Sequence, residues 1–257
     1  MSNKSSQLPS EQMAKFERDG FLVLPKLFSQ QRVDAISKCI DALVERGPRV
    51  GEEMFYYEKS LKDGEQKILS RIEKFFDYDE EMRRLVLGQE ELMAAVQATL
   101  ADEPELFKEK VNFKMPGGAG FEPHQDIQPG WDDYCPYFVS VLVTIDESTV
   151  ENGCLELSAG HHKKGLLGEK WKPLTEEQLR GIDFELYPMS PGDVAIFDCF
   201  VPHQSKPNMT DRQRRNLYLT FNRKNDGMHR LQYFQDKRAS YPPDNEREAG
   251  KEYSFKV

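Results

Sequence analysis

Histidine and cysteine are scarce in this 257-residue chain, at five and four residues, and no long apolar run interrupts it. The most nearly continuous apolar stretch, 138–145, contains Ser140 and Thr144 and falls far short of the roughly 20 residues a helix needs to cross a bilayer. No membrane partner is therefore expected. Cys39, Cys135, Cys154 and Cys199 show no C-x-x-C spacing, which argues against zinc ribbons and a disulfide scaffold, and none has a neighbouring base in sequence that would make a nucleophile. An excess of basic residues is also missing. With 35 Lys plus Arg against 44 Asp plus Glu, the net charge is −9, and binding to a nucleic-acid backbone is not expected. Residues 1–10 lack the apolar core of a signal peptide, so the expected location is the cytoplasm.

Two periodicities divide the rest. Up to about residue 100 the apolar residues recur at helical spacing. Ser10 is expected to cap a helix over 11–19, followed by a short strand over 20–24. Ser29 is expected to cap a second helix, in which Val33, Ile36, Ile40 and Leu43 form one stripe and Gly47-Pro48 ends it. Two more helices are expected over 78–87 and 90–100. From about 105 to 225 the pattern changes to short alternating runs, over 107–114, 137–145, 154–157, 193–197 and 215–222. Turns such as Pro116-Gly117-Gly118, Glu151-Asn152-Gly153 and Pro191-Gly192-Asp193 separate them. One β-rich domain covered by an N-terminal helical layer is the expected organisation. Residues 54–76 mix aromatics and charge with little periodicity, a pattern that suits either a lid over the site or packing residues, and residues 236–257 read as a solvated tail or a late-ordering arm.

The chemistry concentrates around His124 and Asp126, which lie two apart and so share one face of an extended strand. Alone the pair means little, because five His and 44 acidic residues in 257 positions give about one His-x-acid pair by chance. His203 raises the odds. Two imidazoles and one carboxylate leave three positions of an octahedral ion open, the arrangement of non-heme iron oxygenases. Arginines at 214 and 215 follow, either of which offers a bidentate carboxylate anchor. Alternation selects between them: Asn216, Tyr218, Thr220 and Asn222 share the face of Arg214, whereas Leu217, Leu219 and Phe221 share that of Arg215.

Asn112-Phe113-Lys114 before a glycine turn, Phe121-x-x-His124-Gln125-Asp126, Gly192-Asp193 and His203-x-Ser205 followed by Arg214 together resemble the phytanoyl-CoA dioxygenase family, across about residues 15 to 225. The resemblance implies a double-stranded β-helix, or jelly roll, with flanking helices. It also implies Fe(II) held by His124, Asp126 and His203, and 2-oxoglutarate held by Arg214 and Ser205 with Asn112 and Phe121 beside it. Dioxygen is the third reactant, and the implied reaction hydroxylates an unactivated C–H bond while 2-oxoglutarate is decarboxylated to succinate.

For the substrate, Lys110 stands two residues before Asn112 on the same strand face, where a lysine is costly unless it meets an anion. Arg71 is a second candidate cation, Tyr57 and Trp131 are candidate aromatic walls, and Asn216 lies on the polar face of its strand. These residues favour a small polar or anionic metabolite. Since members of the family hydroxylate organophosphonates, a 2-aminoethylphosphonate-type compound or its N-methylated form is the named candidate, with a compatible solute or amino acid derivative as the alternative. Rivals of another class are a non-redox cupin-like metal-binding module and a zinc hydrolase with Glu122 as base; both leave Arg214 without a role. His161, His162 and His229 read as loop residues.

Overall fold

The computed structural model describes residues 8–253. Two antiparallel sheets face one another as a jelly roll. The larger is built from β1 (Phe21–Leu24), β2 (Met54–Lys59), β3 (Lys67–Glu73), β4 (Pro104–Lys114), β6 (Phe138–Thr144), β9 (Val194–Asp198) and β11 (Arg214–Arg223), in the order β1-β9-β6-β11-β4-β3-β2. The smaller is built from β5 (Phe121–His124), β7 (Leu155–Leu157), β8 (Glu185–Tyr187) and β10 (His203–Ser205), in the order β5-β10-β7-β8. This is the double-stranded β-helix that the resemblance implied.

Helices α1 (Ser10–Asp19), α2 (Gln30–Arg46), α3 (Glu80–Leu87) and α4 (Glu90–Leu100) cover one face of the larger sheet. The stripe Val33, Ile36, Ile40 and Leu43 of α2 is fully buried, packed in one core with Val111, Val141, Val143, Ile196, Leu217 and Leu219 from the strands. Burying such aliphatic side chains contributes about 1.5 to 3 kcal/mol each before entropy is counted. Ser29 caps α2 as expected, its side chain accepting from the Arg32 N–H, and Asp79 caps α3 in the same way through Met82. Ser10 differs, lying inside α1 rather than before it, with Pro9 preceding the helix.

Two segments depart from expectation. Residues 54–76 form the β2–β3 hairpin, whose β3 pairs with β4 at Arg71↔Asn112 and Glu73↔Lys110. The expected solvated tail instead begins inside α5 (Arg230–Ser240), which buries Tyr233 and Phe234 and anchors Lys237 on Glu73.

Candidate active site

The metal-binding candidates come from two strands of the smaller sheet. His203 on β10 is the register partner of His124 on β5, which brings their rings to a centroid distance of 4.2 Å. Asp126 stands two residues past the end of β5, and the ligand atoms of His124, Asp126 and His203 all lie within 4.8 Å of one another. Each imidazole is held by its other nitrogen: His124 Nδ1 sits 2.7 Å from the Glu122 carbonyl and His203 Nδ1 3.0 Å from that of Val201. A backbone carbonyl can only accept, so Nδ1 carries the hydrogen and Nε2 is left as the lone-pair donor. Ser140 donates to Oδ2 of Asp126, leaving Oδ1, which stands 3.7 Å from His203 Nε2.

Electrostatics suit an ion there. Burial, together with His203, pushes His124 down to about 3, so it is a neutral ligand at neutral pH. Burial works against the Asp126 carboxylate, but His203, Lys110 and His124 outweigh it and lower its pKa. The donor set of two imidazoles and one carboxylate, converging from one side, fits Fe(II) with open coordination positions.

Beside this cluster lies the expected cosubstrate set. Arg214 is 2% exposed and points between the sheets, Nη2 donating to the Gly153 carbonyl at 2.6 Å while Nε has no partner among the described residues. Arg215, one residue on, faces the helical layer, where it pairs with Asp146 at 2.8 Å and Asp41 at 2.6 Å. Asn112 is buried with its Oδ1 unpartnered among the described residues. Ser205 Oγ accepts from Lys114 at 2.7 Å, and the Phe121 ring lies 6.5 Å from that of His124.

A cavity of about 690 Å³ opens from His124 and Asp126 and is lined by Arg71, Lys108, Lys110 and Trp131 together with Tyr233 and Lys237 of α5. Its lining sets Arg71, Lys108, Lys110 and Lys237 against Asp126, Asp133 and Asp236. Lys110 Nζ lies 5.0 Å over the Tyr218 ring and 5.9 Å over that of Phe121. Lys108 Nζ lies 4.0 Å over Trp131. Burial lowers both lysines, that of Lys108 further with Lys110 as the next cause. The adjacent Glu73 carboxylate is taken up by Arg71 at 2.7 Å and Lys237 at 2.6 Å. Among the described residues neither Lys108 nor Lys110 is ion-paired to a carboxylate, and the indole N–H of Trp131 is buried without an acceptor.

The five expected substrate residues divide three to two. Arg71, Lys110 and Trp131 line the cavity. Tyr57 does not: it follows Tyr56 on β2 and so takes the opposite face, 37% exposed, while Tyr56 points in and stacks under Arg71 at 4.8 Å. Asn216 lies outside the cavity lining as well. With its amide oriented by its neighbours, it accepts from Arg214 Nη1 at 2.8 Å and so buttresses that arginine. Glu122 is exposed and outside the cavity lining, which leaves a hydrolase base unplaced. His229, read as a loop residue, stands on the cavity wall.

Lys108 and Lys237 were not anticipated. The first had a visible signal, because Lys108, Lys110, Asn112 and Lys114 alternate along β4 and the cost argument applied to Lys110 applies equally to the other two lysines. Lys237 had none, since the charged run around it shows no helical stripe.

Comparison with known proteins agrees with this geometry. The model of the phytanoyl-CoA dioxygenase family matches residues 16–216. A 2-aminoethylphosphonate dioxygenase from an uncultured bacterium is 35% identical, the match covering 97% of this chain and 95% of that protein. A methylphosphonate hydroxylase from Gimesia maris is 30% identical, covering 92% of this chain and 89% of that protein. Among solved structures, EctD from S. alaskensis with 2-oxoglutarate and 5-hydroxyectoine superposes with a TM-score of 0.74 at 25% identity, covering 89% of this chain and 80% of that one. A family match over most of the sequence, on a jelly roll that converges two histidines and an aspartate, makes this chain a member of the phytanoyl-CoA dioxygenase family.

Proposed function

We propose that this dioxygenase is Fe(II)- and 2-oxoglutarate-dependent and hydroxylates a small organophosphonate of the 2-aminoethylphosphonate type. One observation carries the substrate class: Lys108 and Lys110 stand in the cavity beside the His124–Asp126–His203 cluster with no carboxylate paired to either among the described residues. Two enclosed ammonium groups at adjacent inward positions of one strand repel each other, and a dianionic head group relieves that cost better than a monoanion. The name of the relative that is 35% identical carries the same chemistry.

His124, Asp126 and His203 would hold the iron, and Arg214 with Ser205 the far carboxylate of 2-oxoglutarate. Bound iron and cosubstrate supply the oxidising power for C–H hydroxylation, with succinate and carbon dioxide as the other products. The chain supplies position and dryness. Lys110 and Lys108 take the phosphonate oxygens, and the Trp131 N–H is a further donor for them. The Trp131 and Tyr233 rings close the wall behind Lys108, which keeps water from the anion and strengthens each charge-assisted bond. An anion anchored on β4 sets which carbon of a two-carbon chain lies nearest the iron, since the substrate is too short to reach it in more than one way.

The test is substrate-dependent succinate formation with iron and 2-oxoglutarate across 2-aminoethylphosphonate, its trimethylammonium analogue, β-alanine and ectoine. Turnover with the phosphonates well above that with β-alanine is expected. Turnover with ectoine or β-alanine alone would overturn the substrate class, and no succinate with any compound together with no iron bound would overturn the reaction class.

A further inference from the structure

Glu73 on β3, the register partner of Lys110, is fully buried and absent from the lining of the substrate cavity. Its carboxylate is met by two cations that do line it: Arg71 Nε at 2.7 Å, and Lys237 Nζ, which reaches Oε1 and Oε2 at 2.6 Å each. Lys237 comes from α5, beyond the stretch matched to the family. Its ammonium lies 5.9 Å from the centre of the Tyr233 ring, against which Lys108 also stands at 5.4 Å. The acids of the lining outside the metal cluster are occupied elsewhere: Asp133 pairs with Lys170 at 3.1 Å, and Asp236 accepts from the Tyr134 hydroxyl and the Gln232 amide at 2.8 Å each. Four enclosed cations, Arg71, Lys108, Lys110 and Lys237, therefore gather round one carboxylate, an excess of positive charge that is costly unless a ligand supplies the balance.

We infer that Lys237 is a substrate-binding residue, taking the third oxygen of the phosphonate while Glu73 holds its ammonium at the cavity wall. The inference rests on the substrate class proposed above. An ammonium carries three N–H groups. The two Glu73 oxygens account for two of them, and among the described residues no other acceptor meets the third. Lys108 and Lys110 reach the cavity from β4 and Lys237 from α5, so the anion is approached from two elements of the fold. That arrangement suits a tetrahedral head with three oxygens, whereas a planar carboxylate has no oxygen to offer a third ammonium once Lys108 and Lys110 are served. Lys237 thereby becomes the residue that separates a phosphonate from a carboxylate of the same length.

The test is anaerobic calorimetric titration of the protein loaded with Fe(II) and 2-oxoglutarate, using 2-aminoethylphosphonate and 2-aminoethylphosphinate, in which a hydrogen replaces one of the three oxygens. Lys237→Met is expected to weaken phosphonate binding by about ten- to a hundredfold and phosphinate binding by much less, so that the preference of the wild type for the phosphonate shrinks. Equal losses for the two ligands would mean that Lys237 shapes the cavity without meeting the third oxygen, and would overturn the inference. Unchanged phosphonate affinity with only a lower melting temperature would overturn it too, reducing Lys237 to an anchor for α5. If Lys237→Met fails to fold because it leaves Glu73 with Arg71 as its one remaining ion pair, Glu73→Gln/Lys237→Met removes both charges together and is read by the same titration. No phosphonate binding by the wild type would defeat the proposed substrate class itself, a result distinct from any variant effect.

Discussion

Ser140 and Asp126 are joined by a hydrogen bond that fixes which carboxylate oxygen faces the two histidines: Oδ2 accepts from the serine, and Oδ1 is left toward His203. His124→Ala, Asp126→Ala and His203→Ala should each abolish turnover and iron binding with the far-UV circular dichroism unchanged. Ser140→Ala should act through orientation alone and weaken iron binding by roughly 10- to 100-fold. Iron content after gel filtration checks all four, and full iron in any of the three ligand variants would sink the assignment.

Arg214 and Arg215 are expected to fail in different ways. Arg214→Lys should raise the KM for 2-oxoglutarate at least tenfold, since an ammonium cannot reproduce a planar fork. Arg215→Lys should leave that constant alone and lower stability by about 1 to 3 kcal/mol, because it breaks a bidentate contact with Asp146 and a link to Asp41. Kinetics and urea denaturation on the same two proteins separate the effects.

Removing the proposed anion clamp should be felt in one constant only. Lys110→Ala is expected to raise the KM for the phosphonate by about ten- to a hundredfold, equivalent to roughly 1.5 to 3 kcal/mol. The KM for 2-oxoglutarate should stay within twofold. A change confined to 2-oxoglutarate would move Lys110 to the cosubstrate.

Glu73 ties α5 to the sheet and makes a pH prediction. Burial raises its pKa, but Lys237, Arg71 and Lys108 outweigh that and hold it near 2 against an ordinary 4.5. The unfolded chain therefore takes up this proton first as pH falls. The stabilisation is complete above about 4.5 and is lost toward 2. Glu73→Gln should lower stability by roughly 3 kcal/mol at neutral pH and flatten the acid limb of stability against pH, measured by urea unfolding from pH 2 to 7.

The helical layer and the long central strands were legible because each obeys a single period. The α2 stripe at 33, 36, 40 and 43 packs on one face, and Leu217, Leu219 and Phe221 alternate against Arg214 and Asn216 as read. The β2–β3 hairpin was not, since Arg71 and Glu73 are charged residues pointing inward and an extra residue in β3 between Leu69 and Arg71 breaks its alternation. Tyr57 misses the cavity for a simpler reason: it is one residue from the inward-facing Tyr56 and takes the other face. Strands β5 and β10 are too short for any period to register, and α5 buries only two side chains. Their visible marks were His124 and His203 themselves. Asn216 was placed on the correct face, but alternation cannot say how far along that face a residue stands from the substrate.

The family match ends at residue 216, whereas Tyr233, Lys237 and Tyr241 build part of the cavity wall. The residues proposed to hold iron and cosubstrate thus lie inside the matched stretch, and part of the proposed substrate cavity lies beyond it. Exchanging residues 227–245 between relatives offers evolution, or an engineer, a way to trade substrates while the iron ligands and cosubstrate anchors stay untouched.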